Sequence, residues 1–423
     1  MAAVFTFIVV LVGIVPLLVL DSGAVFQALI LAITAIAIML VAVNIRAGDL
    51  ARLAGLLGPS AVVAVLPGVW MMLQLLPLPG LAHPIWTSAA AALDRPIAGT
   101  ASIDIGATLL AFARYCCILA IGVVTTAAAL NRFRAMSIYS VVAGIAALVS
   151  GQLILLQLGY PEFPVRVPAA ESICVLGLIL SCAAAIVAYD RDDDQRKSAG
   201  SKAKTARAVT AALVVAVLCF TAIVLNADVV VLFSAALGIG TVTAVWAIRR
   251  YRLRLWGISG IAAVAVLGTA VFLVSVPSIK DADATLALSN QPQGSIAATA
   301  RMLSDVRWTG IGAGCFGALL PVYRDVDDAT ANAAPTTAAL IAIEFGRPAL
   351  WTLIILALGA ALYFFRAALL RGRDYVFCAT GSGTILAMGV LSFADSGTIE
   401  LATSILASVI LGLALAQSKS WGS

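Results

Sequence analysis

The feature that most constrains this chain is the length of its apolar runs, which repeatedly reach about 17 to 25 residues, the length a helix needs to cross hydrocarbon. A run of that length finds no place in a soluble core of ordinary size. With 62% of 423 residues hydrophobic and 11% charged, lipid is the only solvent that suits it. In lipid every backbone amide needs an internal partner, which closed helices supply. Strands of a membrane barrel would alternate apolar and polar residues, and these runs are continuously apolar. The expectation is an all-α integral membrane protein.

The runs divide into about twelve spans: 4–20, 25–44, 54–77, 105–129, 135–157, 171–189, 208–225, 229–248, 255–276, one within 336–370, 375–393 and 399–416. The first lacks a basic leader and reads as a retained helix rather than a cleaved signal. Placing both termini in the cytoplasm puts Arg46, Arg52, Arg132, Arg134, the cluster from Arg191 to Arg207, the run from Arg249 to Arg254, Arg371, Arg373 and Lys419 inside. That obeys the positive-inside rule, so the net charge of +5 is topology and not a sign of nucleic-acid binding. The stretch 190–207, four aspartates followed by a Lys/Arg run, reads as a solvated cytoplasmic loop.

The longest outer segment, 277–334 between spans 9 and 10, is where function is expected. Ser295 reads there as the N-cap of a short helix ending near Val306 or Arg307, with Arg301 and Asp305 paired one turn apart. The string GIGAGCFG, 310–317, follows no strand and opens no βαβ unit, which excludes a dinucleotide fingerprint. It reads as a tight turn or as a backbone nest able to touch an anion. The seven cysteines form no CxxC pair or Cys/His cluster, so neither a disulfide framework nor a metal site is expected, and no cofactor.

Charges within or beside spans are expensive, at least about 2.5 kcal/mol for a mid-helix arginine, and Arg114 lies about 14 Å inside its span. It reads either as a functional group or as the partner of a buried carboxylate; Glu171, Asp228, Glu344, Asp395 and Glu400 are the intramembrane or span-end acids. Arg166, Arg301, Arg307, Arg324 and Arg347 lie on the outer side, where guanidinium groups either hold a phosphate bidentately or are scattered surface charge. His83, the single histidine, sits in the loop LPLPGLAHPIW as a candidate acid–base group or an incidental one.

Three stretches carry a family resemblance. LPLPGLAHPIWTSAAAALDRPIAGTASIDIGAT (76–108), ARMLSDVRWTGIGAGCFGALLPVYRD (300–325, with its Tyr323) and IEFGRPALW (343–351, a Glu-x-Gly pattern) resemble loop motifs of the O-antigen ligase and O-antigen polymerase superfamily of bacterial membrane glycosyltransferases. The resemblance implies about twelve spans of GT-C type in the bacterial inner membrane, with a large periplasmic loop late in the chain. It further implies transfer of a glycan from undecaprenyl pyrophosphate to a saccharide or lipid acceptor, without metal or nucleotide sugar, in surface or exopolysaccharide assembly. Arg301, Arg307, Arg324 and Arg166 would hold the pyrophosphate. Two departures stand out: Pro335 and Thr336 occupy the family's His-Asn position, and Asn226, Ala227 and Asp228 stand where a Ser-Arg pair is common. A base near the acceptor would then come from Glu344, Asp305 or Glu171. A non-catalytic subunit working with other polysaccharide-assembly proteins, and a transporter or flippase with charges lining a path, are the alternatives.

Overall fold

A computed structural model describes residues 2–21, 23–78, 80–160, 164–194, 199–226, 228–251, 283–289, 291–325, 334–372 and 374–419, with the side chains of Ala2, Pro59 and 191–205 excepted. The span expected at 255–276 lies outside these, as do Arg252, Arg254, Lys280 and Arg373. Among the described residues the chain is helical and without strands. The helices are α1 (Ala2–Gly13), α2 (Val15–Leu20), α3 (Ala24–Asn44), α4 (Ala47–Leu75), α5 (Ile85–Leu93), α6 (Ile105–Ala128), α7 (Arg132–Gln157) and α8 (Val167–Asp194). They continue as α9 (Ala199–Asn226), α10 (Val229–Arg250), α11 (Gln293–Asp305), α12 (Phe316–Tyr323), α13 (Thr337–Phe345), α14 (Arg347–Leu370), α15 (Tyr375–Ala394) and α16 (Leu401–Ala416).

Nine helices among the described residues are long and apolar enough to cross a membrane, and α4 makes a tenth if its bent halves count as one span. The chain is therefore an all-α, multi-pass membrane protein. Capping side chains set several span starts: Asp104 accepts from Ala107 N, Asn131 from Phe133 N, and Asp228 from Val230 N at 2.8 Å. α8 and α15 are buried over most of their length, while α3, α6, α9 and α14 are fully buried over less than a third of theirs. This follows from pattern: residues Ser172 to Ser181 of α8 are small or apolar on every face, which suits a helix enclosed by others.

Four local expectations are corrected. The run at 54–77 belongs to a longer helix bent by 66° between Ala47–Gly58 and Ser60–Leu75. Pro59 is the cause, since it cannot donate to the carbonyl four residues back. That carbonyl, Gly55 O, accepts instead from Lys419 Nζ at 2.7 Å, and Ser60 Oγ donates to Leu57 O at 3.0 Å. The stretch 190–207 is not one loop, because α8 runs through Asp194 and α9 begins at Ala199. Asp190 is not solvated either: Trp246 Nε1 donates to it at 3.1 Å and Tyr375 Oη at 2.8 Å.

In the outer segment the short helix starts three residues earlier than expected, with Pro292 at its N-cap, so Ser295 is a buried residue of the first turn. Arg301 does not pair with Asp305. It makes a bidentate pair with Asp325 at 3.0 and 2.9 Å, because α11 and α12 pack side by side and bring the end of α12 across. The described part of this segment is a cap with its own core, in which Met302, Leu303, Ile311, Phe316 and Leu320 pack on Ala338, Ala342 and Ile343 of α13. Each large side chain so buried contributes about 1.5 to 3 kcal/mol.

Candidate functional site

The three stretches singled out in the sequence meet at the end of α4 farthest from Arg46 and Arg52. Gln74, buried near that end, joins all three. Its Nε2 donates to Thr309 O at 3.1 Å and Glu344 O at 2.8 Å, its Oε1 accepts from Ala313 N, and its backbone carbonyl accepts from Ser102 N. Ile103 N donates to Ile311 O, and Ile311 N to Ile343 O, both at 3.0 Å. The glycine run must be glycine for steric reasons. Gly312, at φ 107°, would place a Cβ 2.5 Å from Ser102 Oγ, and Gly346, at φ 91°, would place one against Trp308 O.

Glu344 occupies the nest that the glycines form. The amides of Gly314 and Phe316 donate to its carboxyl, the latter at 3.2 Å, and Gly312 N donates to its backbone carbonyl. Burial pushes this carboxyl up to about 7 against the opposing pull of those two amides. The anion taken by GIGAGCFG is thus a side chain of the same protein, and Glu344 faces inward, only 5% exposed.

The outer surface of this knot holds a different set. Arg307 Nη1 donates to Ala82 O at 3.0 Å, which brings the guanidinium to the loop of His83. Burial first, and then the charge of Arg307, hold the His83 imidazole below its ordinary 6.5. Its Nδ1 accepts from Ile85 N at 3.3 Å, so the neutral ring carries its proton on Nε2. Beside Arg307, Trp308 is 60% exposed and lies 6.4 Å from the ring of Trp70. Asp305, also exposed, accepts from Tyr323 Oη at 3.0 Å. Burial and this bond to Asp305 raise the Tyr323 phenol above its ordinary value.

The other candidates lie elsewhere. Arg347 Nη2 binds Asp283 at 2.7 Å and Leu303 O at 3.3 Å. Arg166 is held by Glu400, at the start of α16, at 3.2 Å. Arg324, half-buried, closes α12 with its backbone N–H on Leu320 O. Arg114 was expected to meet a carboxylate if structural, but its Nη2 donates to the amide of Gln27 at 2.5 Å. An amide satisfies a guanidinium N–H without the desolvation cost of a second buried charge. Glu171 accepts from Asn226 Nδ2 at 2.6 Å, and Gln157 Nε2 donates on to Asn226. Near it, Asp395 accepts from Gly397 N at 2.7 Å through Oδ1, and burial together with the charges of Glu171 and Asp228 holds its carboxyl up, at about 7. Among the described residues no cluster of three or more His, Cys, Asp or Glu has the arrangement of a metal site.

Sequence reading missed Gln74, Ser102 and Trp308 as parts of one place. Gln74 had a visible signal, a lone amide in the apolar run GVWMMLQLL. Ser102 and Trp308 had none, because their meaning lies in contacts made across the chain. No known protein-family model matches this chain, and neither proteins of curated function nor solved structures give a match.

Proposed function

We propose that this protein transfers or polymerises a glycan carried on undecaprenyl pyrophosphate, acting at the outer face of the membrane with a saccharide or lipid as acceptor. The observation that carries this reading is the meeting of Arg307 and His83 at the surface of a knot built from all three stretches that resemble the O-antigen ligase superfamily. The resemblance asks for arginines on the pyrophosphate and a histidine near the acceptor; Pro335 and Thr336 offer none, and the chain's single histidine, His83, lies beside Arg307 instead. Among the described residues Arg307 meets a carbonyl, whereas Arg301, Arg347 and Arg166 are each neutralised by a carboxylate. Its charge remains open to a diphosphate.

The acceptor hydroxyl attacks the anomeric carbon and the bond from that carbon to the pyrophosphate oxygen breaks, the electron pair leaving with the pyrophosphate. Arg307 and the Nε2–H of His83 stabilise that departing charge. The hydroxyl proton passes to Asp305, the one exposed carboxylate of the three candidate bases, positioned by Tyr323. Trp308 offers a ring face for a sugar. In vitro transfer from a lipid-linked donor tests the assignment: Arg307→Ala is expected to lower turnover roughly 100-fold or more. Unchanged turnover in both Arg307→Ala and His83→Ala would remove the site.

A second reading, a non-catalytic subunit of a polysaccharide-assembly machine, draws on the same pairing: three of the outer arginines are already neutralised within the chain. Co-purification with a saccharide synthase and no transfer by the wild-type chain would select it. Residence in a bacterial inner membrane with cytoplasmic termini, and a count of about twelve spans, belong to the same proposal.

A further inference from the structure

At the arginine-rich side of the membrane, away from the glycine knot, α7, α8, α9 and the start of α15 enclose a partly open cavity of about 380 Å³. Small side chains leave the space, among them Ala143, Gly144, Ala184, Ala188, Ala208 and Ala211. The hydroxyls on its walls are already engaged: Tyr139 Oη donates to Leu180 O at 2.6 Å, Ser181 Oγ to Leu178 O at 2.9 Å and Ser140 Oγ to Met136 O at 2.9 Å. Such walls ask for an occupant without hydrogen-bonding groups, and left empty they forfeit packing energy. The volume is near the low end of small-molecule sites, roughly 300 to 1,000 Å³.

Among the described residues, charge lines the cavity only at its rim. Arg132 Nε binds Asp374 Oδ1 at 2.9 Å, and both residues line the cavity. The pair is made through Nε, and the Arg132 side chain is 44% exposed at the rim. One guanidinium beside one carboxylate complements a headgroup with one phosphate and one ammonium; a purely anionic headgroup would meet repulsion from Asp374.

The geometry points to a binding site for a zwitterionic aminophospholipid, one acyl chain in the cavity, its phosphate on Arg132 and its ammonium on Asp374. The test uses the full chain, delipidated in detergent and titrated separately with phosphatidylethanolamine and phosphatidylglycerol under native mass spectrometry. One phosphatidylethanolamine should be retained per chain, at least tenfold more tightly than phosphatidylglycerol. Arg132→Gln should weaken it tenfold or more, and Ala184→Leu, which fills the cavity, should abolish it. Equal retention of the two lipids, or full retention by Arg132→Gln, overturns the proposal. Thermal melting verifies that the variants fold; if Ala184→Leu does not, Ala143→Leu takes its place with the same expected loss, and retention there overturns the cavity assignment.

Discussion

A carboxyl group buried among backbone amides is subject to two opposing influences, and at Glu344 burial is the stronger, holding it at about 7 against an ordinary 4.5. The sign of its effect on stability follows. Between those two values the folded chain binds the proton more tightly than the unfolded one, so this contribution is fully present below 4.5 and is lost as pH rises through 7. The slope is about 1.4 kcal/mol per pH unit across that window. Glu344→Gln keeps an acceptor for Phe316 N but cannot ionise. It is expected to flatten the fall in melting temperature between pH 4.5 and 7, measured in detergent by circular dichroism, and an unaltered slope would show that the group does not titrate in that window.

At the scale of an element, α4 shows how a helix in lipid tolerates a proline. Pro59 leaves Gly55 O unserved, and the tail of the chain returns to serve it through Lys419. Lys419→Met should therefore cost about 1 kcal/mol, the worth of one hydrogen bond. Pro59→Ala restores an N–H in the right place, so in the double variant the loss of Lys419 should cost nothing further. A double-mutant cycle on unfolding free energies measures this coupling, and strictly additive effects would contradict it. Arg249 plays a related part on the same side, donating to Ala368 O in the last turn of α14 and to Gly372 O beyond it while lying 4.3 Å over the Tyr375 ring. Helix ends here are satisfied by side chains distant in sequence.

At the scale of the whole molecule, the basic helix ends and the glycine knot occupy opposite ends of the bundle. Gly48→Cys and Ser88→Cys, made singly in a cysteine-free background, are expected to react with a membrane-impermeant maleimide from opposite faces of oriented vesicles. Labelling of both from one face would refute the proposed topology and the outer location of His83 and Arg307 with it.

The all-α, multi-pass class was legible in the sequence because it depends on run length and composition, which are local and additive along a chain. Several candidate groups were legible too, as costly residue types in apolar surroundings, and Arg114, Glu171 and Glu344 all proved to have internal partners. Which partner each one takes was decided only by tertiary structure, since a guanidinium selects among groups tens or hundreds of residues away. Arg301 was matched by spacing to Asp305, one turn along its own helix, but helix packing offered Asp325 in better bidentate geometry. The long outer segment was visible as a polar interval between apolar runs. That its described part is a cap with its own core, clasped to α4 by Gln74 and closed around Glu344, depends on glycines whose neighbours come from Ser102 and Trp308, and no local pattern records such a contact.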